Sequence, residues 1–106
     1  MKISSNFNRF YHSLLREFYR QADKIIIEGV GVLYLRGLTL DNFKQTLKLL
    51  NFNYPRKNNA PPLSTRDITN KELVEHIEHI IKIAYQNGYK LSVVEQEWEL
   101  ILKEHR

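Results

Sequence analysis

FNRFYHSLLREFY, residues 7–19, is the stretch that decides the fold. Its apolar side chains recur every three or four residues, which is the spacing of one face of an α-helix. We therefore predict an amphipathic helix over residues 6–23. The apolar face is unusually aromatic, and aromatic side chains bury large areas, so this helix should supply much of the core. Its opposite face carries Arg9, Arg16 and Arg20.

Length and composition indicate one globular domain. The chain has 106 residues, of which 42% are apolar, so we expect a single domain over residues 1–106. The absence of cysteine excludes disulfides, thiolate zinc sites and a cysteine nucleophile. No apolar run approaches the roughly 18 residues of a membrane span, and the N-terminus lacks the apolar core of a signal peptide. We expect an intracellular, cytoplasmic protein.

KIIIEGVGVLYLRG, residues 24–37, predicts extended structure because it is rich in β-branched and aromatic residues. Its two glycines indicate a turn or a bulge near the middle. Two arrangements of residues 25–36 fit this pattern. One is a short hairpin with EGVG at its tip, and the other is a single strand bent at Gly29.

Three more helices are predicted from capping signals. Thr39 caps a second helix whose buried face carries Leu40, Phe43, Leu47 and Leu50. An irregular loop rich in proline and asparagine follows over residues 51–67, and its YPRKNN segment should be exposed. A capping box of Thr69 and Glu72 starts a third helix that runs to about Tyr85. Its buried stripe is formed by Leu73, Ile77, Ile80 and Ala84, with Val74 and Ile81 beside it.

The last part of the chain has the same kinds of signal for the end of one helix and the start of another. Asn87 and Gly88 should end the third helix. Ser92 and Glu95 have the spacing of a second capping box, which predicts a last helix. In that helix the side chains expected to point inward are Val94, Trp98, Ile101 and Leu102. The predicted fold is mainly α, with four helices in two helix–connection–helix units and a short β contribution at 25–36. Lys90–Leu91 is a second candidate for extended structure.

Two segments have matching patterns. GLTLDNFKQTLKLL (37–50) and KLSVVEQEWELILK (90–103) each give an apolar residue, a Thr or Ser cap and a helix. This arrangement resembles the EF-hand pair of the calmodulin-like proteins. If Ala84 opens the second loop, Leu91 falls at the eighth place and Glu95 at the twelfth. The first, third and fifth places then hold Ala84, Gln86 and Gly88 instead of the family's usual carboxylates, so we expect no calcium. We also expect no other metal and no cofactor.

The resemblance implies a calcium-independent, non-catalytic module that binds proteins. Its partner would be an amphipathic helix lying in an apolar groove, or the chain would be a subunit of a larger assembly. The candidate groove residues are Phe10, Leu14, Phe43, Leu47, Ile77, Ile81, Trp98 and Ile101.

Nucleic acid is the alternative partner. Residues 1–66 carry 11 Lys and Arg against 4 Asp and Glu, whereas residues 67–106 carry 5 against 8. Basic side chains near aromatic rings suit phosphates and stacked bases. The segment 24–36 also resembles the glycine-bearing strand of the HU/IHF family of DNA-bending proteins, and the first helix resembles the opening of the LYR assembly factors. The candidate contacts are Arg16, Arg20, Arg56 and Lys57.

No pattern of catalytic residues emerges, and we expect no enzyme activity. There is no glycine-rich phosphate loop, no nucleophile elbow and no triad spacing. Glu72, His76 and His79 share a flank of the third helix, where helical spacing could place two of them on one metal ion. We interpret this flank as solvent-exposed, with a helix-stabilising contact between acid and imidazole.

Overall fold

The structure, a computed structural model, describes residues 5–58 and 60–104. The elements in chain order are α1 (Ser5–Gln21), β1 (Lys24–Ile27), β2 (Gly31–Tyr34), α2 (Leu40–Leu50), α3 (Asn70–Gln86), a π-helical segment (Val94–Trp98) and α4 (Glu99–Glu104). The described residues are mainly helical with one small antiparallel hairpin. The predicted fold class is therefore confirmed.

Helix α1 is the central element. It packs against α2, α3 and the π-helical segment, and its buried side chains are Phe7, Phe10, Tyr11, Leu14, Leu15 and Phe18. The Trp98 ring stacks on the Phe10 ring at a centroid distance of 5.0 Å. The predicted aromatic face is therefore the surface on which the rest of the domain assembles.

Residues 24–34 form a hairpin, which settles the choice between a hairpin and one bent strand. Strands β1 and β2 pair in antiparallel register, with Ile25 opposite Leu33 and Ile26 opposite Val32. A tight turn joins them, closed by a 3.0 Å bond from the Val30 N–H to the Ile27 carbonyl. Gly29 sits in this turn with φ of +79°, a left-handed conformation that glycine adopts without steric cost.

Helix α3 begins and ends as its sequence predicts. The Thr69 hydroxyl accepts from the Glu72 N–H at 3.1 Å, and the Glu72 carboxylate accepts from the Thr69 N–H at 2.8 Å. At the other end the Tyr89 N–H donates to the Ala84 carbonyl, and the Gly88 N–H donates to the Tyr85 carbonyl. This is a Schellman motif, and Gly88 supplies its left-handed residue.

The last helical stretch begins at Ser92 and continues through the π-helical segment into α4. It is capped differently from the prediction. Glu17 of α1 accepts hydrogen bonds from the Ser92 hydroxyl at 2.6 Å and the Ser92 N–H at 2.8 Å, and from the Val93 N–H at 3.3 Å. The predicted Ser92–Glu95 capping box is wrong, because the Ser92 hydroxyl donates to Glu17 and Glu95 is exposed. A carboxylate is a stronger acceptor than a hydroxyl, so Glu17 takes the cap. Lys90 and Leu91 are not in a strand.

We expect Glu17→Gln to lower the free energy of unfolding by about 1 kcal/mol, the usual cost of a lost helix cap. Burial would raise the pKa of Glu17, but the bonds from Ser92 and Val93 outweigh it and hold that pKa below its usual value. The measurement is urea unfolding at neutral pH. Glu97→Gln is the matched control, because Glu97 is exposed in the π-helical segment. Equal losses in the two variants would contradict the capping role.

Residues 51–58 and 60–67 form neither a helix nor a strand, and hydrogen bonds hold this loop in place. The Tyr54 hydroxyl donates to the Leu63 carbonyl at 2.6 Å, and the Leu63 N–H donates to the Pro55 carbonyl at 3.1 Å. Tyr54 is buried, so the expectation that the YPRKNN segment is exposed is wrong for its first residue.

Within the described ranges, no helix is long and apolar enough to cross a membrane.

Candidate binding surfaces

The eight candidate groove residues lie mainly in the core. Seven of them are buried, namely Phe10, Leu14, Phe43, Leu47, Ile77, Trp98 and Ile101, and Ile81 is half-buried. In this conformation their apolar side chains pack together in the core cluster of the domain.

The four candidate nucleic-acid contacts do not share one environment. Arg16 and Arg20 are exposed on α1, and Lys57 is exposed in the loop. Arg56 is already engaged, because its guanidinium donates to the Lys48 and Asn51 carbonyls at 3.1 Å each. Those carbonyls belong to the C-terminal end of α2, so Arg56 acts as a cap for that helix.

His76 is buried, not solvent-exposed as interpreted from the sequence. It is 1% exposed and packs edge-on against the Tyr54 ring at a centroid distance of 4.6 Å. Its Nδ1 atom lies 2.9 Å from the side-chain amide nitrogen of Asn51. The helical spacing explains the error. His76 lies three residues after Leu73 and four before Ile80, so it belongs to the buried stripe as much as to the charged flank.

A shallow pocket of about 460 Å³ adjoins this histidine. Its lining residues are Asn51, Asn53, Tyr54, Glu72, Glu75, His76, Glu78, His79 and Lys82. Although the Nε2 atoms of His76 and His79 are buried without a hydrogen-bond partner, no group of three ligand-type side chains in the described residues could hold a metal ion. Glu72 is also engaged in the cap of α3.

The outer face of the hairpin is apolar and open to solvent. Ile26, Val32 and Tyr34 share this face, since Ile26 is opposite Val32 and strand residues two apart point the same way. All three are at least half exposed, and Val30 in the turn is equally exposed. Half of the eight large apolar side chains exposed in the described residues therefore lie on this one small element.

The outer edge of β1 is closed by the end of α3. The Asn87 side chain accepts from the Ile26 N–H at 2.7 Å and donates to the Ile26 carbonyl at 3.1 Å, as a neighbouring strand would. The Tyr89 hydroxyl donates to the Lys24 carbonyl at 2.9 Å. The Asn87–Gly88 turn thus both ends a helix and covers a strand edge.

The outer edge of β2 is open. The main-chain N–H of Ile26 points away from β2, towards Asn87. The main-chain groups of its neighbours Ile25 and Ile27 therefore point towards β2, where these residues pair with Leu33 and Gly31. The N–H and carbonyl groups of Val32 and Tyr34 must then point away from β1. In the described part of the chain, no group bonds to them. An edge of this kind is a template for another strand.

A cluster of basic side chains lies where α1 packs against α2. The Lys44 ammonium lies 2.9 Å from His12 Nδ1. Burial, Lys44, Arg16, Lys48 and Arg66 all lower the pKa of His12. We call these five residues the His12 cluster. The charges that act on its histidine are all positive.

Two surfaces described above, the outer edge of β2 and the His12 cluster, were only partly predictable from the sequence. The sequence indicated the hairpin segment and Arg16 but not the other residues of these surfaces. The open edge depends on Asn87, which is 61 residues from Ile26. A strand whose register is shifted by one residue exposes the opposite face, and the local pattern of residues 24–34 does not specify that register. Lys44 and Lys48 could have been noticed as an i, i+4 basic pair on the second helix, whereas nothing local associates them with Arg66.

No protein-family model, curated protein or solved structure matches this chain.

Proposed function

We propose that this chain is a protein-binding module that acts by strand addition at β2, and that the partner that fits the hairpin is a second copy of the chain. Binding rather than catalysis is the proposed role. The observation that carries the proposal is the β2 edge, where the outward main-chain groups of Val32 and Tyr34 have no partner among the described residues and lie beside exposed apolar side chains. Strand addition uses both features: main-chain bonds provide affinity, and alternate side chains provide specificity.

The β2 edge is complementary to itself. If two β2 strands meet antiparallel across a two-fold axis at Leu33, Val32 of each copy faces Tyr34 of the other. The outward N–H and carbonyl groups of one copy then meet those of its partner, which is the arrangement that an isologous dimer requires. The result would be a four-stranded sheet with no open β2 edge.

Such a dimer would also extend the apolar face of the hairpin. Ile26, Val32 and Tyr34 of one copy would be followed by the same three residues of the other, on one face of the four-stranded sheet. Neighbouring apolar side chains on adjacent strands contribute about 0.2–1 kcal/mol per pair. The two exposed patches would become one larger patch whose central residues shield each other from water.

The charges at the two ends of the hairpin favour the same pairing. The base of β2 is followed by the exposed Arg36, and the tip carries the exposed Glu28. Antiparallel association brings the tip of each hairpin towards the base of the other, so opposite charges approach and the two Arg36 side chains stay apart. Opposite-charge placement of this kind fixes the register of an interface.

Self-association can be measured by sedimentation velocity over a wide range of protein concentration. We expect the wild-type chain to form a dimer that dissociates on dilution. Val32→Lys should raise the dissociation constant at least about tenfold, because a lysine on an edge strand opposes pairing. Val32→Pro should do the same by removing the outward N–H, and it should leave the β1–β2 bonds intact since Val32 does not take part in them.

Tyr85→Lys is the matched control, because Tyr85 is also an exposed apolar residue but lies at the end of α3. It should dimerise like the wild type. A chain that stays monomeric at every concentration contradicts the proposal. So does a dimer that survives both Val32 substitutions. Capture of a strand from a different protein at β2, without self-association, would retain strand addition but reject the second copy as partner.

A further inference from the structure

We propose that the His12 cluster is a binding site for a phosphate group. The site lies apart from the β2 edge, and the inference does not depend on the proposed function. It rests on where three elements place five basic side chains.

Two helices contribute four of the five residues in register. His12 and Arg16 are one turn apart on α1, and Lys44 and Lys48 are one turn apart on α2, so each pair lies on one face of its helix. The two helices pack against each other. The contact between Lys44 and His12 at 2.9 Å is the point at which the two faces meet.

The fifth residue is brought in by an anchored loop. The hydroxyl of Thr65, a buried residue, donates to the Asn8 side-chain oxygen at 2.9 Å. Asn8 lies one helical turn before His12 on α1. Arg66 follows Thr65 directly, which explains why its charge acts on His12 although 54 residues separate them along the chain.

The positive charge of the cluster is not balanced by carboxylates. In the described ranges no ion pair joins these residues to Asp or Glu, and the ammonium groups of Lys44 and Lys48 contact neutral acceptors, His12 Nδ1 and the Leu63 carbonyl. Glu17, the acid carried by α1, is held by Ser92 and Val93. Asp41, in the first turn of α2, is exposed and is not among the charges acting on His12.

Unbalanced charges close together cost free energy, and burial increases this cost because the solvent screens them less. Lys48 is almost fully buried, and its pKa is lowered by burial and by Lys44. A bound anion would relieve the repulsion for all of these groups together. A phosphate group fits best, since its several oxygens can accept from lysine, arginine and imidazole donors that belong to two helices and a loop.

The test is a titration of the full chain with inorganic phosphate and, separately, with inorganic sulfate at low ionic strength, followed by NMR. We expect saturable shifts centred on His12 and Lys44. Lys44→Gln and Arg66→Gln should each weaken binding about tenfold, the effect of one charge-assisted hydrogen bond. Lys57→Gln is the matched control and should not change the affinity, because Lys57 is equally basic but lies outside the cluster.

The imidazole of His12 provides a readout that a merely structural cluster would not give. A bound anion should raise the pKa of His12, so proton binding and anion binding should reinforce each other. Sulfate keeps its double negative charge over this pH range, and its affinity should therefore increase as the pH falls from 8 to 6. His12→Gln should abolish that pH dependence.

A separate arm uses a single-stranded oligonucleotide to distinguish two sources of phosphate. If inorganic phosphate binds and Lys44→Gln selectively weakens that binding, the cluster is a site for one phosphate group. If the oligonucleotide also binds, and its binding depends on Lys44, a nucleic-acid backbone is a further source of the phosphate. The proposal is overturned if neither inorganic anion binds. It is also overturned if Lys57→Gln weakens binding as much as Lys44→Gln, because the charge would then act diffusely.

Discussion

Phe43→Ala is expected to lower the free energy of unfolding by about 3–5 kcal/mol, which is typical for removing a buried phenylalanine side chain. Phe43 is fully buried in α2, and its ring meets the Phe18 ring edge-on at a centroid distance of 5.4 Å. It therefore joins α2 to the central helix. Domains of this size have a total stability of only about 5–15 kcal/mol, so this one substitution should remove a large part of it.

Urea unfolding measures this loss, and the single tryptophan is a suitable probe because Trp98 is packed against Phe10. Phe52→Ala is the matched control. Phe52 follows α2 by two residues but is 84% exposed, so its removal should change stability by no more than about 0.5 kcal/mol. Similar losses in the two variants would mean that Phe43 does not occupy the core.

Acidification from pH 7 to pH 5 is expected to lower the free energy of unfolding by about 2 kcal/mol through His76 alone. Burial, together with the charges of His79 and Lys48, lowers the pKa of His76 from 6.5 to about 3. The unfolded chain therefore binds a proton at His76 in the window between pH 6.5 and pH 3, whereas the folded chain does not. Stability is complete above pH 6.5 and decreases as the pH falls through that window.

The experiment is a series of urea unfolding curves between pH 7 and pH 5 for the wild type and for His76→Gln. The glutamine can still accept the bond from Asn51, so the variant should fold, and its stability should depend less on pH. Some dependence should remain because burial also lowers the pKa values of His12 and His79. Identical slopes in the two proteins would contradict the assignment of His76 as a buried neutral group.

The helices could be predicted because their signals are local. Periodicity, caps and glycine stops involve residues within about four positions of each other, and these signals correctly identified α1, α2 and both ends of α3. The Thr39 hydroxyl accepts from the Asn42 N–H as expected of a cap. Local signals also found the hairpin segment, although not whether it turns or bends.

Both candidate surfaces, and also the cap of the last helical stretch, depend on contacts between residues that are distant in sequence. Glu17 caps a helix that starts 75 residues later, and Asn87 closes a strand edge 61 residues earlier. An apolar stripe identifies a face that must be buried but does not specify what buries it. Such a stripe is therefore consistent both with a partner groove and with a core, and in the structure Phe10, Leu14 and Phe43 pack against other parts of the same chain.

The amino-acid sequence by itself determined that this protein is a small, mainly helical domain built on an aromatic first helix, because short-range spacing and capping residues specify helices without reference to the rest of the chain. Only the tertiary structure decided which strand edge stays open and which positive charges act on His12. Those outcomes depend on the register of the hairpin and on the packing of α1 against α2 and α3. Both are set by contacts between residues far apart in the chain.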